Sequence, residues 1–185
     1  MKNLKGFTLP ELLITLSITS ILIGASVPSL NELIENQRSS LIMDQLRQLI
    51  YFTRYKAIHT GSYVVMCPST DNLECSNNWQ APLIVFNDRN MNRTVDNEEV
   101  VYREMNLLQN GETLKLRASA NRKYLLFNSK GYTHGLFGNL TFCQPDQRLQ
   151  GARRLTINRL GRVRIHKDSD GNGIIDGSSS SNIAC

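Results

Sequence analysis

From Phe7 to Val27 the chain carries a single charged residue, Glu11, in an otherwise apolar run. About 20 apolar residues cross a bilayer as a helix, so this run is long enough to span one. Lys2 and Lys5 precede it and mark the cytoplasmic side. The run is too long for the apolar core of a secretory signal, and no small-x-small cleavage site follows it. A carboxylate inside hydrocarbon costs about 2.5–3.5 kcal/mol on insertion scales. A plain anchor has no use for Glu11, whereas an amine on a neighbouring subunit would give it a partner. Pro10 fits the same picture. If the chain is cut after Gly6, Phe7 becomes the first residue of a helix, and Pro10 falls among the first four amides, which have no intrahelical acceptor.

Beyond this run a chain of 185 residues has room for one exported domain of ordinary size. Its four cysteines, Cys67, Cys75, Cys143 and Cys185, all lie past the apolar run. An even count on the exported side reads as two disulfides, and four cysteines allow three pairings. Cys67–Cys75 as a local loop and Cys143–Cys185 as a clasp on the tail is the favoured set. No Cys-x-x-Cys pair points to zinc. Charge is strongly segregated. Residues 113–167 hold twelve Lys and Arg against one acid, Asp146, while residues 7–112 hold seven against twelve. Such a basic block suggests an anionic partner, a nucleic acid or a phospholipid surface.

Pro28 is expected to kink or loosen the helix, since it removes the bond to the Gly24 carbonyl. The helix then resumes. Leu30, Leu33, Ile34, Leu41, Leu46, Leu49, Ile50 and Ala57 recur at three- and four-residue steps and predict an amphipathic helix packed by one face on a sheet. Gly61 is its expected stop. Strands are predicted over 62–67, 81–86, 100–104, 115–117, 123–127, 140–143, 154–157 and 162–166, with turns at Asn110-Gly111, Lys130-Gly131 and Leu160-Gly161. Strands without intervening helices mean antiparallel sheet. The expected fold is therefore α+β, one long N-terminal helix laid on antiparallel sheet. Its expected divisions are 1–6 (leader), 7–27 (membrane or filament-core helix), 28–60 (amphipathic helix) and 61–185 (β-rich domain), with residues 168–185 as a tail.

Lys5-Gly6-Phe7-Thr8-Leu9-Pro10-Glu11 followed by an apolar run resembles the class III signal of type IV prepilins and pseudopilins. The resemblance implies cleavage after Gly6 by a membrane prepilin peptidase and methylation of the new N-terminal Phe7. It also implies that Glu11 neutralises the amine of an adjacent pilin subunit. The implied location is single-pass in the inner membrane with a periplasmic domain, then the pilus after assembly. Further motifs are similar to the GspH/FimT subgroup of that family. They are a cysteine just after the helix, Trp79 ahead of an apolar strand, Phe86-Asn87-Asp88-x-Asn90-x-Asn92, paired late cysteines and a late Gly-Arg-Val-Arg.

That last motif, Gly161-Arg162-Val163-Arg164, sits in the basic block among Arg153, Arg154, Arg159, His166 and Lys167. A hairpin turning near 158–161 would bury Leu155, Ile157, Val163 and Ile165 and leave Arg154, Arg162, Arg164 and His166 on the wet face. Gly161 would leave the backbone open to a ligand. Guanidinium forks suit phosphate oxygens. In the FimT-like branch a Gly-Arg-x-Arg at this place is associated with DNA binding in natural transformation. The resemblance thus implies DNA contact by Gly161, Arg162 and Arg164, and the basic block around them adds Arg154, Arg159, Lys167 and Arg153 as expected contacts. Tyr124, Phe127, Tyr132 and Phe137 read as core, which leaves no stacking platform and predicts backbone contacts with little sequence preference. The other reading is a purely structural, GspH-like pseudopilin of a type II secretion filament.

Two loops imitate calcium sites and depart from the pattern. Asp88-x-Asn90-x-Asn92 has Arg93 at the glycine position, and Asp168-x-Asp170-x-Asn172-Gly173 has Ser179 at the last. No metal and no cofactor is assigned. His59, His134 and His166 form no paired-ligand spacing, and no nucleophile elbow or phosphate loop appears, so no enzyme is expected.

Overall fold

The computed structural model describes residues 6, 8–145, 147–177 and 183–185, with the side chains of 25–29, 31 and 32 left aside. Lys2, Lys5, Phe7, Asp146 and Ser179 lie outside the described residues. One helix, α1 (Leu9–Thr60), is followed by eight strands: β1 (Val64–Pro68), β2 (Leu83–Asn87), β3 (Val101–Met105), β4 (Thr113–Ala118), β5 (Leu125–Phe127), β6 (Gly138–Cys143), β7 (Arg153–Ile157) and β8 (Val163–Ile165). The chain divides into two compact units, Met1–Gln37 and Arg38–Cys185.

In the first unit α1 begins with Pro10 in its opening turn, where its missing N–H is not needed. The helix is continuous through Pro28. Leu9, Leu12, Leu13, Ile14, Leu16, Ile18, Ile21, Leu22 and Ile23 are all exposed. A helix that is apolar all round needs an apolar surround. Among the described residues no helix is long and apolar enough to cross a membrane. The span expected over 7–27 lies partly outside them, at Phe7 and the side chains of 25–27.

The second unit begins at Arg38. Half of the expected stripe is corrected here. Leu46, Leu49, Ile50 and Ala57 are fully buried, but Leu30, Leu33, Ile34 and Leu41 are exposed, and Ile42 and Met43 take the inner positions. Counting back from Leu46 and Leu49 at helical spacing reaches Ile42 rather than Leu41, so the phase of the stripe is set by the domain. Gly61 ends the helix at φ 64°. Its N–H donates to Ile58 O and that of Ser62 to Ala57 O, both at 3.3 Å, which closes the last carbonyls in a Schellman arrangement.

The strands form two antiparallel four-stranded sheets, β3-β2-β1-β5 and β4-β6-β7-β8. One core joins Ile42, Leu46, Leu49 and Ile50 of α1 to Val64, Met66 and Val85 of the first sheet and to Leu114, Leu140, Phe142, Leu155 and Ile157 of the second. Every residue of β1 and β2 is buried. The alternate residues Val65, Cys67, Ile84 and Phe86 point away from α1 and pack under Tyr63, Cys75, Met91 and Val95. The Cys67–Cys75 disulfide ties the covering loop to β1. A second bridge, Cys143–Cys185, joins β6 to the chain end over Ala152, Ile175 and Ile183.

Candidate nucleic-acid interface

One face of the second sheet lies in the core, and the other is covered only where Cys143 packs under Ala152, Ile175 and Ile183. β4 alternates strictly, with Leu114 and Leu116 inward and Lys115 and Arg117 exposed. The pairing register extends that polar face across the sheet. Arg117 pairs with Asn139, Asn139 with Thr156, and Thr156 with Arg164. In the neighbouring row Lys115 pairs with Thr141 and Thr141 with Arg154. Side chains of paired residues share a face, so Lys115, Arg117, Arg154 and Arg164 stand on one wet surface with hydroxyl and amide groups between them. Arg154 Nε donates to Thr141 Oγ1 at 3.1 Å, which fixes its stem across the sheet. Burial, and then the Arg117 guanidinium, hold Arg154 below the ordinary arginine range. Two cations crowded in this way invite an anion. Among the described residues no carboxylate forms an ion pair with Arg117, Arg154, Arg162 or Arg164.

The β7–β8 hairpin presents the remaining groups. Asn158 N–H donates to Arg162 O at 3.1 Å and Gly161 N–H to Asn158 O at 2.9 Å. Asn158 Oδ1 accepts from the amides of Leu160 and Arg162. Leu155 and Ile157 are buried, Val163 and Ile165 half-buried against the core, and Arg162 and Arg164 exposed. Lys167 and His166 line an open groove of about 650 Å³ with Arg164 and Thr156. The His166 ring donates from Nδ1 to Asp176 O at 3.1 Å and accepts at Nε2 from Thr156 Oγ1 at 3.3 Å. Burial pushes this imidazole below the usual histidine range; the bond to Asp176 acts against the shift, and the charges of Arg164 and Arg154 act with it.

Several expectations are corrected. Arg153 does not join the wet face. It has the parity of Leu155 and Ile157, and its guanidinium donates to the carbonyls of Gln150 and Ala152, both at 2.9 Å. Gly161 is buried and closed to a ligand. At φ 73° a Cβ there would lie 2.8 Å from Gly131 O and 3.0 Å from Phe127 Cε1. The glycine therefore serves the turn and its packing. Of the four aromatics read as core, only Phe127 is fully buried, while Tyr132 and Phe137 are 45% and 47% exposed. Phe137 lies beside the exposed Arg159, whose guanidinium stands 5.1 Å from the ring centre. Arg117 and Lys115 were missed as site residues. Alternation in β4 signals that they point outward, but the signal for their neighbours is the register with β6 and β7.

At the other end of the chain Gly6 and Glu11 are exposed, and Glu11 Oε2 accepts the Thr8 N–H at 3.5 Å within the first turn. In the Asp88 loop the amides of Asn90 and Asn92 both donate to Asp96 Oδ2, and Arg93 takes a left-handed conformation at φ 66°. In the Asp168 loop the carboxylate accepts from Gly171 and Gly173. Among the described residues no cluster of His, Cys, Asp or Glu is arranged to hold a metal ion.

A long N-terminal helix whose later turns pack on antiparallel sheet, behind a prepilin-type N-terminus, defines a type IV pilin-like protein, a minor pilin or pseudopilin of a pilus or type II secretion filament. Residues 1–27 match the prokaryotic N-terminal methylation motif. Residues 43–161 match the family model of Type II transport protein GspH, and the chain belongs to that family. The match ends at Gly161, short of Arg162 and Arg164. Among solved structures, the type IV minor pilin FimU of Pseudomonas aeruginosa PAO1 is similar in two crystal forms. Each is 16% identical over 69% of this chain, covering 92% and 87% of FimU with TM-scores of 0.51 and 0.52. The minor pseudopilin EpsH of the Vibrio cholerae Type 2 Secretion System is 14% identical over 69% of this chain and 95% of its own, with a TM-score of 0.48. No curated protein sequence matches the chain. Membership of the family implies contact with other pilin-type subunits.

Proposed function

We propose that this chain is a minor pilin that binds DNA through the basic face of its second sheet and supports DNA uptake. The observation that carries the reading is the placement of Arg117, Arg154 and Arg164 on one face of three strands, in two neighbouring rows, with Arg162 at the adjoining turn and no pairing carboxylate among the described residues. Nucleic-acid backbones are held by just such exposed guanidinium groups. Cleavage after Gly6, methylation of Phe7 and pairing of Glu11 with the next subunit's amine belong to the same proposal, as do the inner-membrane anchor and the periplasmic domain. The match to the methylation motif supports them.

The test is fluorescence anisotropy of the full chain in detergent with a labelled duplex. Arg162→Glu with Arg164→Glu should abolish binding while leaving the thermal melt unchanged, and undiminished binding would refute the site. The second reading is a structural pseudopilin of a type II secretion filament, which the GspH family match favours. It predicts no DNA binding by the native chain.

A further inference from the structure

The basic face accounts for phosphates and leaves the groove beside Phe137 unused. This groove, of about 670 Å³, is lined by Phe137, Gly138, Ile157 and Val163, with Asn139, Thr156, Arg162 and Arg164 around it. Its volume lies in the range of roughly 300–1,000 Å³ typical of small-ligand sites. We propose that it seats one unpaired nucleobase on Phe137, so that single-stranded DNA is held more tightly than an uninterrupted duplex. The inference rests on the DNA-binding reading above.

Phe137 is exposed yet held firmly. Its N–H donates to Ser119 Oγ at 3.3 Å, and its carbonyl accepts the Ser119 N–H at 2.9 Å. The preceding turn is clamped by Thr133, whose hydroxyl donates to Leu136 O and whose N–H donates to Arg159 O at 3.1 Å. A solvent-facing ring on a fixed backbone is a stacking platform that needs little ordering on binding. The Arg159 guanidinium already lies against this ring. Arginine planes and aromatic rings are the two surfaces on which single-stranded bases stack. Asn139 lines the groove, and its Oδ1 is buried without a hydrogen-bond partner. A small rotation of that amide would offer it to a base N–H donor, such as N3–H of thymine. Arg162 and Arg164 stand where the phosphates flanking a seated base would run. In a duplex the bases remain in their stack and reach the groove only by flipping, at a cost. Stacking tolerates any base, so little sequence preference is expected.

The experiment uses the full chain in detergent, a labelled short oligothymidylate and a labelled blunt duplex. Wild type should bind the oligothymidylate more tightly than the duplex. Phe137→Ala should weaken oligothymidylate binding roughly tenfold or more and leave duplex binding within about twofold, while Phe137→Tyr keeps both. In a separate titration, Phe137→Trp should give fluorescence quenched by the oligothymidylate and not by the duplex, against a background from Trp79, which is buried. Equal effects of Phe137→Ala on both probes, or an unquenched tryptophan, overturn the seated base while leaving the arginine surface standing. Failure of the wild type to bind either probe overturns both.

Discussion

Arg38 on α1 and Glu112 ahead of β4 meet in two parallel hydrogen bonds, Nε to Oε1 and Nη2 to Oε2, each 3.0 Å long. The same Nη2 donates to Leu107 O at 2.7 Å, and Glu112 Oε2 accepts the Gln109 N–H at 2.7 Å. The carboxylate is buried and the guanidinium partly so. The pair fastens the first turn of the helix in the compact unit to the second sheet. Truncating either member leaves a charge without its counterpart. Glu112→Ala should cost about 3 kcal/mol in chemical denaturation, and Glu112→Gln, which keeps an acceptor, less. A loss below about 1 kcal/mol for Glu112→Ala would show the pair to be a solvated contact.

The register across β4, β6, β7 and β8 separates arginines that the sequence groups together. Arg117→Gln and Arg164→Gln should each weaken duplex binding and lower the salt dependence by about 0.9 log unit per lost phosphate contact. Arg153→Gln, on the other side of β7, should leave both quantities unchanged. Salt titrations of the three variants decide this, and an equal effect of Arg153→Gln would remove the sheet face as the binding surface.

Gly161→Ala places a Cβ against Gly131 O in a left-handed backbone. It should lower stability by about 1–3 kcal/mol, read as a reduced Tm. Any loss of DNA binding should follow from displacement of the hairpin that carries Arg162. A variant that melts like wild type would contradict the close packing of this turn.

The Cys143–Cys185 bridge spans a sequence separation of 42 and holds the chain end over Ile175 and Ala152. Loop-closure entropy for a ring of that size corresponds to about 4 kcal/mol. Cys143→Ser with Cys185→Ser should lose a comparable amount. It should also release Lys115, whose ammonium donates to the Cys185 backbone oxygen. Denaturation with and without reductant measures the first effect. Duplex affinity measures the second and should rise as Lys115 is freed.

His166 is buried enough to disfavour its imidazolium, and Arg164 and Arg154 add to that effect. Its folded-state affinity for a proton is therefore below that of the unfolded chain. Stability from this group is fully present above the ordinary histidine pKa, about 6.5, and is lost as pH falls through the lower folded value. His166→Gln should flatten the decline between neutral and mildly acidic pH in denaturation experiments. An unchanged slope would place the loss on other groups.

The local sequence by itself determined the helix, its glycine stop, the strand positions to within a few residues and the antiparallel class. Each of these follows from periodicity, turn residues and chain direction, which are local properties. Apolar alternation in Leu155, Ile157, Val163 and Ile165 was enough to turn Arg162 and Arg164 outward. Tertiary structure decided what local pattern does not carry. The phase of the α1 stripe, with Ile42 inward and Leu41 outward, depends on which face meets the sheets. The neighbourhood of Arg117 and Arg154 depends on hydrogen-bond register between strands far apart in the chain. Phe137 reads as core because most phenylalanines are buried; it is exposed, in a loop anchored at Ser119 and at the 158–161 turn, with the Arg159 guanidinium beside the ring. A side chain's direction is thus set locally, while its neighbours are set by long-range pairing.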